Sequence, residues 1–161
     1  MGIGLDCQFM VNGSKVVSII PARSGSKRVP GKNKYIFQDQ TLVEWSIKSS
    51  ILCDEIDVTI VSTDDDDISR IIPKYNVKHH SRNKELSTDS ASTFDLLKDI
   101  YFNYLERDAD IILVLQPTSP LREKSLINNI LNKLCSNKDW SSSLELYPVK
   151  NFTGEIKNGF W

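Results

Sequence analysis

Five strand-like runs, separated by stretches with helical periodicity, constrain this chain more than any other feature. Val16–Pro21 (VVSIIP) is short, continuous and apolar, the pattern of a strand buried on both faces. Ile56–Ser62 (IDVTIVS) is rich in β-branched residues and reads as a second strand. Val77–His80 reads as a short third strand, Asp110–Gln116 (DIILVLQ) as the most hydrophobic one, and Ser141–Tyr147 as a weaker fifth. Between the first two, Val43, Ile47 and Ile51 recur at helical spacing. Ile68, Ile71, Ile72 and Tyr75 do the same after the second, with Pro73 expected to end or kink that helix. Phe94, Leu97, Tyr101, Tyr104 and Leu105 form the strongest stripe, opened by Ser92 and Asp95 at the spacing of a capping box. Leu126, Ile127, Ile130, Leu131 and Leu134 make the last. Strands alternating with helices predict an α/β fold: a mostly parallel sheet flanked by helices.

At 161 residues the chain is about one domain, long enough to bury roughly two-thirds of its unfolded surface. No repeat or linker divides it. Residues 1–14 read as an N-terminal arm and 15–161 as the α/β domain. The arm lacks the basic and apolar regions of a signal peptide, and Asp6 stands where a myristoylation motif wants Ser or Thr. Twenty basic and 21 acidic residues leave a net charge of −1, which argues against a nucleic-acid partner. No apolar run approaches the ~18 residues of a membrane span. Cys7, Cys53 and Cys135 are scattered and odd in number, so the expectation is three reduced thiols in a cytoplasmic protein.

Ligands of such sheets sit beyond the carboxyl ends of the strands. After the first strand comes PARSGSKRVPGKNK, residues 21–34, with Arg23, Lys27, Arg28, Lys32 and Lys34 and no acid. Gly25 and Gly31 allow close backbone approach to an anion, so the segment suits a polyphosphate. It is not a P-loop: five residues separate the glycines, and Asn33 follows Lys32 where that motif has a hydroxyl. Nor is it a G-x-G-x-x-G turn. The competing reading is a solvated basic loop; its position directly after the first buried strand favours phosphate.

The second strand ends in STDDDD, Ser62 to Asp67. Acids in a first helical turn offset the macrodipole, so Asp65, Asp66 and Asp67 are expected to be solvated, leaving Asp64 as a weak candidate for a metal or a ribose. The fourth strand runs into LQPTSPLR, a stiff polar loop suited to a polyhydroxylated substrate, or else simply a proline-rich turn opening the next helix. His79 and His80 lack partners at metal spacing and read as structural.

Taken together, PARSGSKRVPGKN, STDD, the R-x-x-x-L-S-T-D-x-A-S segment and LQPTSPLR resemble the acylneuraminate cytidylyltransferases, or CMP-sialic acid synthetases. The blocks stand in that family's order between Val16 and Tyr147. The related 3-deoxy-octulosonate synthetases share a similar first loop without the Lys32–Asn33 pair and carry an acid near the place of Thr118, which favours the nine-carbon-sugar branch.

The resemblance implies a Rossmann-like nucleotidyltransferase sheet, lacking the family's C-terminal part. It implies attack of a nonulosonic acid's anomeric hydroxyl on the α-phosphorus of CTP, giving CMP-sugar and pyrophosphate in the service of glycan synthesis. Arg23, Ser26, Lys27 and Lys32 would hold the triphosphate, with Lys32 and Arg23 catalytic. Asn33 and Arg82 would contact the cytosine carbonyl, and Ala91 and Thr93 its amino group. Gln116, Thr118 and Ser119 would face the sugar. Magnesium would bridge phosphate oxygens. Family members run well past Trp161, where the metal-binding aspartates, a further sugar-side arginine and much of the homodimer arm are expected. The alternative is therefore a catalytically incomplete module that holds CTP without turning it over.

Overall fold

The computed structural model describes residues 13–26 and 29–136. Four parallel strands make the main sheet: β1 (Val16–Pro21), β4 (Val58–Thr63), β5 (Lys78–Ser81) and β6 (Ile111–Val114). Their order is β5-β4-β1-β6, so the chain winds outward from β1 in one direction, then crosses back to add β6 on its other side. The apolar run of β1 is explained by this place. It pairs on both edges, Val17 with Val58 and Ile112, and residues 16–20 are all buried.

Alternate residues of β1 feed two cores, as strand geometry requires. Val16 and Ile20 pack with Val43 and Ile47 of α1 (Leu42–Ile51), Ile68 of α2 (Asp66–Ile71), and Ile127 and Leu131 of α4 (Lys124–Ser136). Val17 and Ile19 pack with Leu96 and Ile100 on the α3 side, where α3 spans Thr93–Asp99. The result is a three-layer α/β/α sandwich. Ser18 faces the first core without leaving its hydroxyl unpaired. A buried chain runs from Ser18 Oγ to Ser50 Oγ at 2.6 Å and on to Thr59 Oγ1 at 2.7 Å, tying β1, α1 and β4 together.

Two segments differ from the sequence reading. The long polar loop 22–40 contains a 3-10 turn, Lys32–Lys34, and a small antiparallel ribbon of β2 (Ile36–Phe37) and β3 (Gln40–Thr41). The α3 stripe is corrected. Phe94 and Tyr104 are exposed, and the buried face is Leu96, Ile100 and Leu105. At the C-terminal end of the stripe a π-turn over Ile100–Tyr104, with Leu105 N–H donating to Ile100 O, adds one residue and puts Leu105 in place of Tyr104 on the face of Ile100. The expected strand Ser141–Tyr147, Cys7 and most of the N-terminal arm lie outside the described residues. The capping box of α3 is present in full, Ser92 with Asp95, and a second opens α1, Thr41 with Glu44. The helix before Pro73 ends at Ile71 and tightens into a 3-10 turn, Ile72–Lys74. Among the described residues no helix is long and apolar enough to cross a membrane. Cys53 is buried beside Glu55 and Asn128, and burial first, with Glu55 second, pushes its thiol up to about 12, so it stays protonated.

His80 proves structural in its contacts. It is 7% exposed, its Nδ1 lies 3.0 Å from Ser62 Oγ, its Nε2 lies 3.2 Å from Asp99, and its ring stands edge-on to Tyr104. Burial lowers its pKa more than Asp99 raises it, and His79 and Arg82 push the same way as burial. The unfolded chain therefore takes up this proton first, so the stability that neutral His80 contributes is present above its ordinary pKa and is lost as pH falls below it. The melting temperature should drop between about pH 7.5 and 5.5, and less steeply in His80→Gln. Identical slopes for the two proteins would show that another group titrates.

Candidate functional site

The reversal of strand order places a crevice between the carboxyl ends of β1 and β6, where such sheets bind ligands. A cleft of about 450 Å³ opens there. Its walls come from four segments far apart in sequence: the loop after β1, the segment after β5, the start of α3 and the loop after β6.

The loop after β1 is fixed at successive points. Ala22 N–H donates to Ser62 O at 2.8 Å, and Thr63 Oγ1 donates to Ala22 O at 2.7 Å, so the pairing of β1 with β4 runs past the strand's end. Asn33 Nδ2 donates to Arg23 O at 3.0 Å. Asp64 accepts from Ser24 N–H at 2.7 Å and from Ser24 Oγ at 2.8 Å. Gly31 then turns the chain at φ 65°, a left-handed conformation that strains any residue with a Cβ, and opens the 3-10 turn that carries Lys32 and Asn33 to the cleft.

Of the nucleotide-side residues drawn from the sequence, Arg23, Ser26, Lys32, Asn33, Arg82, Ala91 and Thr93 all line this one cleft. Gln116 and Thr118 line its β6 side. Ser119 does not line it: its N–H turns back to Gln116 O at 3.2 Å. Lys27 and Arg28 lie outside the described residues. Lys34 points elsewhere, paired with Asp65 at 3.1 Å and Asp67 at 2.8 Å. That overturns the solvated reading of Asp65, which is 7% exposed and caps α2 by accepting from the N–H groups of Asp67 and Ile68. Asp67 is also paired, with Lys34 and with Arg70 at 2.9 Å, although its side chain stays exposed. Asp66 is exposed, as expected.

Arg82 is 8% exposed, and its Nε donates to Leu86 O at 2.8 Å, with Nη2 directed to the same oxygen. Burial lowers its pKa against the opposing pull of Asp64, yet arginine keeps its proton at any ordinary pH. Arg23 is engaged as well. Its Nη1 donates to Thr88 O at 2.9 Å and Ser87 O at 3.3 Å, and its Nη2 pairs with Asp89 at 2.9 Å. Asp89 also lines the cleft; the sequence reading held it only as a fixed position of the R-x-x-x-L-S-T-D-x-A-S segment, with no role of its own. Among the described residues Lys32 has no ion pair. Arg23, Lys32 and Arg82 thus face one carboxylate, an excess of positive charge that suits a polyanion.

The metal expectation for Asp64 does not fit. Both of its oxygens accept from Ser24, and among the described residues no group of three His, Cys, Asp or Glu is placed to hold an ion.

The chain resembles known proteins in both sequence and fold. The chain is 35% identical over 114 residues to the N-acylneuraminate cytidylyltransferase of Escherichia coli, covering 71% of this chain and 27% of that protein. It is 33% identical over 121 residues to the CMP-N,N'-diacetyllegionaminic acid synthase of Legionella pneumophila, covering 71% and 51%. It therefore spans about a quarter of the first relative's length and half of the second's. Among solved structures, CMP:2-keto-3-deoxy-manno-octonic acid synthetase complexed with CTP has the same fold, with a TM-score of 0.65 at 23% identity over 78% of this chain and 49% of that one. The cytidylyltransferase family model matches residues 17–153, most of the chain, and on that match the chain belongs to the cytidylyltransferase family.

Proposed function

We propose that this chain carries the CTP-binding part of an enzyme that transfers CMP from CTP to the anomeric hydroxyl of a nonulosonic acid, releasing pyrophosphate. The supporting observation is the convergence of nine candidate residues from four segments on one cationic cleft (Arg23, Ser26, Lys32, Asn33, Arg82, Ala91, Thr93, Gln116 and Thr118). Catalysis of this kind is positioning and charge neutralisation around phosphates, which a pre-fixed cationic loop supplies. Lys32 and Arg23 neutralise the triphosphate. Arg82, fixed by Leu86 O, stands with Asn33, Ala91 and Thr93 to contact the base. Gln116 and Thr118 sit across the cleft for the sugar. The N-acyl-sugar relatives and the Lys32–Asn33 pair support a nine-carbon acid over 3-deoxy-octulosonate. Magnesium belongs to this reading as companion of the triphosphate, and a homodimer in the cytoplasm as the setting of the full-length protein.

The test is the melting temperature with CTP, UTP or ATP, each with magnesium. A ligand at 100 times its Kd adds about 2.7 kcal/mol. At roughly 2–4 °C per kcal/mol, CTP should raise the midpoint by about 5–10 °C, and UTP and ATP by much less. Equal shifts with all three, or none, would refute the cytidine assignment. Turnover of CTP with N-acetylneuraminic, legionaminic, pseudaminic and 3-deoxy-octulosonic acids then identifies the acceptor, and CTP binding without turnover would mark a binding module.

Two substitutions probe the charges. Lys32→Ala removes a charge-assisted contact of about 1.5–3 kcal/mol, so CTP should bind roughly 10–100-fold more weakly by titration calorimetry. Asp89→Asn should act the other way. It releases Arg23 and removes a negative charge from beside the phosphates, a gain of about 1 kcal/mol or roughly fivefold. Weaker CTP binding in Asp89→Asn would mean that Asp89 contacts the ligand.

A further inference from the structure

Asp64 is the first residue after β4, and its carboxylate joins two strands' loops. Oδ1 accepts the Ser24 N–H and Oδ2 the Ser24 hydroxyl, a two-point clasp across 40 positions of sequence. The clasp sits one residue beyond Arg23, whose own carbonyl is held by Asn33 and whose predecessor Ala22 is held by Ser62 and Thr63. The polar backbone of residues 22–24 is thus pinned at Ala22 N–H and C=O, Arg23 C=O and Ser24 N–H. Asp64 supplies the last of these and the only charged one. Its charge is also felt by Arg82, whose side chain lines the cleft. Burial works to raise the Asp64 carboxyl, but the two Ser24 donors, followed by its own N–H and the Ser87 side chain, together outweigh it and hold it below its ordinary value, so the clasp is ionised at neutral pH.

We propose that Asp64 is a positioning residue for nucleotide binding: it does not touch CTP or a metal, but fixes the Arg23–Ser26 turn in the conformation that receives the triphosphate. The inference rests on the CTP-binding reading above and goes beyond it in assigning a residue that lies outside the cleft's lining. Its basis is preorganisation. A loop that carries cations toward an anion binds it better when its backbone is ordered before the ligand arrives, because the ordering cost has already been met by folding. Asparagine at this position keeps one acceptor for the Ser24 N–H but loses the charge, whereas alanine removes the clasp entirely.

The experiment compares wild type, Asp64→Asn and Asp64→Ala by titration calorimetry with CTP, once with magnesium and once with EDTA. Amide hydrogen exchange of the 22–26 segment is measured alongside. The expected result is CTP binding at least tenfold weaker in Asp64→Ala, with partial rescue in Asp64→Asn. The fold-loss should be the same with magnesium and with EDTA, and Ser24 exchange should be faster in Asp64→Ala without ligand. The melting temperature of the unliganded variants should stay within a few degrees of wild type, since Asp64 is exposed. A loss seen only with magnesium would make Asp64 a metal ligand and overturn the proposal. So would unchanged affinity in Asp64→Ala while wild type binds CTP, or unchanged Ser24 exchange. Wild-type protein that binds no CTP would instead overturn the functional reading, and the positioning claim with it. If Asp64→Ala does not fold, Asp64→Asn carries the same comparison, with an intermediate loss expected and no loss overturning the claim.

Discussion

Strand β1 is paired on both edges and buried on both faces, and the site depends on that one constraint. A strand so placed cannot expose polar backbone along its length, and its first partly exposed residue is Pro21, where it leaves the sheet. The neighbouring strand β4 extends its hydrogen bonds one step further, through Ser62 O and Thr63 Oγ1, and delivers the loop already ordered. On the other edge, β6 leaves the sheet beside it, with Leu115 N–H bonded to Ile19 O, and opens the facing wall at Gln116. The reversal of winding at β1 keeps any covering connection out of that gap. Cleft and core are therefore consequences of the same pairing.

Much of this was legible in the sequence because it follows from local pattern. Val16–Pro21 was readable to the residue, since a continuous apolar run between polar segments fits few other places than the middle of a parallel sheet. The cleft residues were found through motif blocks and through their position at strand ends. What the sequence hid was long-range or geometric. The π-turn at Ile100–Tyr104 breaks the 3.6-residue period on which the stripe reading rested, so Tyr104 was counted inward, while in the regular helix before it the buried residue is Leu96 and not Phe94. Asp65 read as solvated because its partner Lys34 lies 31 positions earlier and its neighbours are acids. Asp64 was weighed as a metal ligand for want of the register that brings Ser24 to it. That register, Pro21 opposite Ser62, is visible only once β1 and β4 are known to be neighbours.

The basic loop also divides into functions that composition cannot separate. Lys34 and Arg23 are both cations of the same segment, yet Lys34 is committed to the α2 terminus through Asp65 and Asp67, while Arg23 turns toward the cleft. Lys34 thus helps hold the loop against α2 and Lys32, two residues earlier on a 3-10 turn, is left to line the cleft. An ion pair that is half exposed contributes little to stability by itself. Its value here is geometric, since it fixes which of two neighbouring lysines points inward.

The pairing of Arg23 with Asp89 makes the same point for selectivity. Several like charges gathered in one cleft repel one another, and a carboxylate among them reduces that repulsion when no ligand is bound. Any anion that takes Arg23 must then displace or outbid Asp89. A ligand with one phosphate brings charge comparable to the carboxylate it replaces and gains little from the exchange. A triphosphate brings several charges, satisfies Lys32 and Arg23 together, and so retains a net gain after Asp89 is displaced. On the proposed reading, the exchange of Asp89 for a ligand is therefore most favourable for one that brings several phosphates to Arg23 and Lys32 at once.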